Sequence, residues 1–183
     1  MINVTYDIVP LLVYGHFYRL WSDSAMEPFL SQTELLFGLS EQEIAALAPL
    51  CHQIDTLEAV IVFPEGTPAT HLYVITEGQV TLQKSIRAPH AVWPRGTTVA
   101  VCQPGEPIGW SALIAPFQYT LSALAWSPTA LLRFVSSRLR RTLEAQLAIG
   151  FKVMRSVSAM VSRRLKQTMD ALINARELPI WQQ

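Results

Sequence analysis

At 183 residues, half of them hydrophobic and 15% charged, the chain suits one domain of ordinary size with an appendage, and its aliphatic content excludes a disordered polypeptide. Its 14 Lys+Arg balance 14 Asp+Glu, but residues 1–83 hold ten acids and one base, Arg19, whereas residues 84–183 hold thirteen bases and four acids. Two cysteines, Cys51 and Cys102, exclude a disulfide framework, and the histidines at 16, 52, 71 and 90 lack zinc-site spacing, so a reducing cytoplasm without a bound metal is expected.

The first 33 residues form an apolar extension. MINVTYDIVPLLVYGHFYRLW carries Asp7 where a signal peptide needs a base, and Pro10, Gly15, His16 and Arg19 interrupt it short of a membrane span. Leu11, Leu12, Val13, Phe17, Tyr18 and Trp21 there would suit either a partner protein or a cover over the domain. Ser40 then starts a helix as N-cap, with Glu43 completing a capping box before Ile44, Leu47 and Leu50, which predicts a helix over Glu41–His52. Short β-like runs follow at Val60–Phe63, Leu72–Thr76, Gln79–Gln83, Thr98–Val101, Thr120–Ala125 and Ala130–Phe134. Turns such as Glu65-Gly66, Glu77-Gly78 and Pro104-Gly105 separate them, and short strands with frequent turns indicate an antiparallel sandwich or roll.

Within this region Pro107–Leu132 contains no Asp, Glu, Lys, Arg or His. It is long enough to span a membrane, but Gly109, Pro116, Gln118 and Pro128 break it into turn and strand pieces, so no membrane association is expected. From Ser136 the period changes to 3.6, with Leu139, Leu143, Leu147, Met154, Val161, Leu165 and Leu172 in one stripe and Val153, Val157 and Met160 beside it. Gly150 suggests a break between a short helix and one of roughly 26 residues, about 39 Å long. Two apolar faces on one helix imply that one packs on its own domain and the other on a second copy, with Met154, Val157, Val161, Leu165 and Leu172 as the candidate dimer seam. Nine bases between Arg138 and Arg176 read as a solvated or dimer-facing surface rather than a nucleic-acid track.

The order FPEGTPATHLYVITEGQVTL, PGEPIGWSAL, a returning strand and a helix with SRRLKQTMDALI resembles the cyclic-nucleotide-binding domain of the bacterial catabolite activator and fumarate-nitrate regulator family, over about residues 34–176. The resemblance implies an α+β, mainly β fold: an antiparallel β-roll (a jelly-roll-like double-stranded β-helix) flanked by N-terminal helices and a long C-terminal dimerisation helix. The organisation is then extension 1–33, roll with its leading helix 34–135, C-terminal helices 136–176 and tail 177–183. In that family a glycine turn opens a short helix over the cyclic phosphate, a Glu holds the ribose and an Arg some ten residues on clamps the phosphate. Here Gly105, Glu106 and Gly109 match the turn and Trp110 stands at the Glu position. The Arg position falls on Tyr119, or on Gln118 if the loop is one residue shorter. A branch of mostly stand-alone domains keeps an Arg between two aromatics, where FQYT here has Gln118. Losing such a charge partner costs about 2 to 5 kcal/mol, a factor of at least about 30 in affinity. The family's adenine-facing Thr-Ser pair is matched by Thr168 and Met169, after Arg163-Arg164-Leu165.

The expectation is therefore a homodimeric, non-enzymatic regulatory or sensor module whose degenerate cassette has weak or altered ligand specificity. Its candidate ligand contacts are Gly109, Trp110, Ser111, Ala112, Gln118, Tyr119, Thr120 and, from the long helix, Thr168. The ligand would be a cyclic nucleotide or another small molecule, and two aromatic rings with an amide suit a neutral or flat one. A second possibility is that Trp110 and Tyr119 fill the pocket and the module acts, ligand-free, on a partner protein. A third is the remnant of a transcription regulator. Seven residues after Arg176 cannot build a recognition helix, so sequence-specific DNA binding is not expected. No Ser-His-acid, Cys-His or paired-carboxylate set stands near the glycine turn, which argues against an enzyme.

Overall fold

Short alternating runs and tight turns give two antiparallel sheets in the computed structural model, which describes residues 16–18, 23–86 and 95–177. In chain order the strands are β1 (His16–Tyr18), β2 (Cys51–Thr56), β3 (Ile61–Phe63), β4 (His71–Glu77), β5 (Val80–Ile86), β6 (Arg95–Cys102), β7 (Pro107–Ile108), β8 (Ser122–Ala125) and β9 (Thr129–Val135). The helices are α1 (Asp23–Ser31), α2 (Glu41–Leu47), α3 (Ser136–Ala145) and α4 (Leu147–Glu177). One sheet runs β1-β2-β9-β4-β7 and the other β3-β8-β5-β6, so most sequence neighbours lie in opposite sheets, the connectivity of a roll. Leu72, Val74, Ile75, Leu131, Leu132 and Phe134 of the first sheet share one buried cluster with Val80, Leu82, Ala123 and Ala125 of the second. β4 and β9 are buried over unbroken stretches rather than alternately, as strands covered on both faces are.

The capping box forms as expected: the Glu43 amide donates to Ser40 Oγ at 3.3 Å, and the Ser40 amide donates to the Glu43 carboxylate at 2.7 Å. The helix it opens ends at Leu47, however, and not at His52. Pro49 cannot donate to a helical ladder, so Ala48–Leu50 tightens into a 3-10 turn and Cys51 already belongs to β2.

The second helix boundary also moves. α3 ends at Ala145, and Gln146 separates it from α4, so Gly150 lies inside a 31-residue helix about 46 Å long. The residue is glycine for contact reasons, since a Cβ there would sit 2.4 Å from the Leu143 carbonyl oxygen. α4 does carry two apolar rows. Ile149, Val153, Val157 and Met160 are buried on their own domain, while Met154, Val161, Leu165 and Leu172 face outward with Leu147 and Phe151, the last two 76% and 69% exposed. Val157 therefore belongs to the domain-facing row and is corrected out of the expected dimer seam, because a side chain already covered by its own fold has no surface left for a partner.

The lopsided charge distribution is used in folding. The three ion pairs found among the described residues, Glu34 with Arg163, Glu43 with Lys152 and Glu65 with Lys84, each join an acid of the first half to a base of the second. No helix among the described residues is long and apolar enough to cross a membrane. Leu11, Leu12, Val13, Trp21 and tail residues 178–183 lie outside the described residues.

Candidate functional site

The cassette begins where β6 hands over to β7. Gly105, at φ 89°, takes the positive-φ turn, and its amide donates to the Ile75 carbonyl at 2.8 Å. The Glu106 carboxylate closes the turn from inside by accepting the Gln103 amide at 2.7 Å. β7 pairs with Tyr73 and Val74, and Gly109, at φ 74°, caps a single 3-10 turn over Trp110–Leu113. A Cβ on Gly109 would lie 3.1 Å from Tyr119 Cε1 and 3.3 Å from both the His71 carbonyl oxygen and Phe63 Cε1. Backbone angle and crowding thus both require glycine there.

The chain then turns back through Phe117 and is stitched to residues 66–69. The Ala69 amide donates to Phe117 O, the Tyr119 amide to Thr67 O and the Gly66 amide to Tyr119 O, at 2.7, 3.0 and 2.8 Å. This pairing decides the direction of each side chain. Gln118, bridged to Pro68, faces outward, as does Thr120, whereas Tyr119 points in and is only 4% exposed. Its ring stacks on Phe63, centroids 3.9 Å apart and 15° between planes. Its hydroxyl donates to the His71 carbonyl at 2.7 Å and accepts from the His71 amide at 3.2 Å. Burial pushes the Tyr119 phenol pKa up, and burial followed by the nearby Arg133 charge holds the His71 imidazole below its usual value.

Between Phe63, Leu82, Ile108, Trp110, Ser111 and Leu121 the room left is about 30 Å³, enough for one water. Pockets that hold small molecules run to about 300–1,000 Å³. Of the expected contacts, Gly109, Trp110, Ser111, Tyr119 and Thr120 line this residual space, while Ala112 is fully buried beside it. Gln118 is not among the lining residues. Thr168 is exposed on α4, and its hydroxyl donates back to the Arg164 carbonyl at 2.9 Å.

Two arginines that the strand and turn pattern did not reveal hold the cassette from outside. Arg140 of α3 donates to the Ala112 carbonyl at 2.6 Å and lies 4.2 Å from the Phe117 ring centroid. Arg164 of α4 lies 5.5 Å from the Trp110 ring centroid, and its Nη2 approaches Cys102 Sγ at 3.7 Å. Arg164 Nη1 is buried without a hydrogen-bond partner among the described residues. Burial raises the Cys102 thiol pKa despite that guanidinium, which keeps the thiol protonated and unreactive. Their sequence separation from the cassette hid both arginines; the Arg163-Arg164-Leu165 run was the signal that pointed to one of them. Among the described residues no three His, Cys, Asp or Glu side chains converge as a metal site.

Residues 58–146 match the family model of the cyclic nucleotide-binding domain. The chain is 25% identical over 147 residues to a CRP-like cAMP-activated global transcriptional regulator of Mycobacterium tuberculosis, an alignment covering 80% of this chain and 62% of that one, so it spans less than two thirds of this relative. A solved structure from Geobacter metallireducens, described as a cyclic nucleotide-binding protein, is 27% identical with a TM-score of 0.66, covering 80% of this chain and 99% of the other. The N-terminal domain of a transcriptional regulator from Streptomyces coelicolor is 28% identical with a TM-score of 0.60, covering 79% and 94%. A cyclic nucleotide-binding domain from Methylobacillus flagellatus shares the fold at 19% identity, with a TM-score of 0.70 over 87% and 86%. A glycine-opened cassette inside a two-sheet roll, matched by family model, relatives and solved folds alike, shows that this chain carries a cyclic nucleotide-binding domain related to those of the CRP-like regulators.

Proposed function

We infer that this chain works as a homodimeric, non-enzymatic regulatory module whose cassette is degenerate because the protein's own Tyr119 ring takes up the ligand's room. The observation that carries this is the inward Tyr119, stacked on Phe63 and bonded twice to His71, with about 30 Å³ left beside it. A cyclic mononucleotide would have to expel that ring, and no cation stands at Gln118 or Tyr119 to repay the loss. The module then signals through contact with a partner protein, and the outward row of α4 joins two copies. A thermal-shift screen tests the pocket. A ligand that binds only the folded state at a hundredfold its Kd adds about 2.7 kcal/mol, so an unchanged melting temperature in millimolar cyclic AMP or cyclic GMP is expected, and clear stabilisation would overturn the reading. Sedimentation tests the seam: Leu165→Glu places a charge in the outward row and should leave monomers.

A weaker sensor of a small flat molecule is the second reading. It is favoured by Trp110 and Ser111 staying partly exposed at the mouth, with the Arg164 guanidinium over the indole. Stabilisation by such a molecule that disappears in Arg164→Gln would select it over the first.

A further inference from the structure

Beside the cassette, toward the start of α4, lies an open groove of about 290 Å³, separate from the nucleotide pocket. Four α4 residues line it: Leu147, Gly150, Phe151 and Met154. Their spacing, i, i+3, i+4 and i+7, is that of the hole which accepts one knob in a two-helix seam. Gly150 is the member of this set nearest α3, where a Cβ would meet the Leu143 carbonyl oxygen at 2.4 Å. The outer row continues the same seam along the helix at 147, 151, 154, 158, 161, 165, 168 and 172, alternating steps of four and three, with Ser158 and Thr168 as the polar members. In a parallel, in-register pair, a knob meets the hole centred on its own position in the partner. The knob for this hole is Phe151, which is largely exposed and has no cover of its own.

What sets this layer apart is its outer wall. Leu113 and Phe117, from the cassette and its returning loop, complete the groove together with α3. Phe117 is held there in the left-handed region, at φ 58°, a costly conformation for an aromatic residue, with Arg140 packed on its ring. We propose that Phe151 of each protomer seats in the other protomer's groove between Leu147, Gly150, Met154 and Phe117, so that the cassette loop is itself part of the dimer interface. The occupant is a second copy of this chain, and the inference rests on the reading of α4 as a homodimer seam. Its consequence is two-way linkage: a cassette loop that shifts Phe117 weakens the dimer, and dimerisation holds the loop in place.

Sedimentation of the full chain across a concentration series separates the two claims. Phe151→Ala, an exposed change that spares the monomer fold, should weaken dimerisation at least about thirtyfold, because a central aromatic anchor is lost twice per dimer. Phe117→Ala, outside α4, should weaken it about fivefold or more, and the double variant should fall short of the product of the two because the same ring contact is removed. Phe151→Cys should form an intermolecular disulfide on mild oxidation, since the chain's own Cys51 and Cys102 are buried and the two new thiols face each other across the axis. If Leu165→Glu gives monomers while Phe151→Ala and Phe117→Ala leave the dimer constant within twofold, the seam stands and this layer is wrong. If Leu165→Glu stays dimeric, the homodimer seam itself is wrong and this inference falls with it.

Discussion

Replacing Tyr119 in two steps measures how firmly the cassette is occupied. Tyr119→Phe removes only the hydroxyl, which donates to one His71 backbone group and accepts from another. Net values near 1 kcal/mol per hydrogen bond put the loss at about 1 to 3 kcal/mol. Tyr119→Ala also deletes a ring that is nearly inaccessible and stacked 3.9 Å from Phe63. Large aromatic deletions in cores cost about 3 to 5 kcal/mol, because the site collapses only in part. At this chain length 1 kcal/mol moves Tm by about 2 to 4 °C, so Phe should lower it by roughly 2 to 12 °C and Ala by roughly 6 to 20 °C. Differential scanning calorimetry on both variants gives the two numbers. Phenol, matching the missing group in shape and hydroxyl, should then restore part of the Tm lost in Tyr119→Ala and leave the unsubstituted chain unaffected. An Ala variant no less stable than the Phe variant would mean that the ring contributes nothing as a filler, and the occupied-cassette reading would fall.

Acid should find His71 before it finds the carboxylates. The folded imidazole is held below its ordinary 6.5 by burial and then by Arg133, so the folded state binds protons less readily than the unfolded chain. Stability is therefore complete above about pH 6.5, declines as pH falls through the folded value and levels off below it; urea midpoints measured from pH 7.5 to 5 should show that decline, and His71→Gln should flatten it. Gly150→Ala should destabilise although alanine is the better helix former by about 1 kcal/mol, because its Cβ would meet a backbone oxygen at 2.4 Å; a raised Tm would contradict the close α3–α4 approach. Ser40→Ala removes the N-cap of α2 and should cost about 1 kcal/mol in urea denaturation, with Ser40→Asp restoring it; equal stability of all three would deny the cap.

The elements most legible in the sequence were those whose signal is local. The capping box at Ser40 and Glu43, the strands between glycine turns and the two apolar rows of α4 each depend on residues within a turn or two of one another. β2 was hidden because Cys51–Thr56 continues an apolar helical pattern without a turn residue, although Pro49 marked the break. Gly150 looked like punctuation, and only the position of Leu143 shows that it is a contact. In the cassette the order of residues was readable, but the inward or outward sense of Gln118 and Tyr119 depends on the pairing of residues 66–69 with the returning chain. Arg140 and Arg164 come from elements 28 and 54 residues away from Ala112 and Trp110, beyond the reach of any periodicity.

α4 is fastened to its domain near one end. Among the described side chains of α4 the last buried one is Met160, and the ion pairs of Lys152 with Glu43 and of Arg163 with Glu34 tie the same portion to the N-terminal helical region. Arg164 still packs on Trp110, and from Leu165 to Glu177 the helix runs on for about 20 Å at 1.5 Å per residue. That overhang is a lever arm with its fulcrum at the roll. A tilt of about 10° at the fulcrum would carry the tip sideways by about 3 Å, more than the roughly 1–2 Å shifts by which helices at subunit interfaces switch.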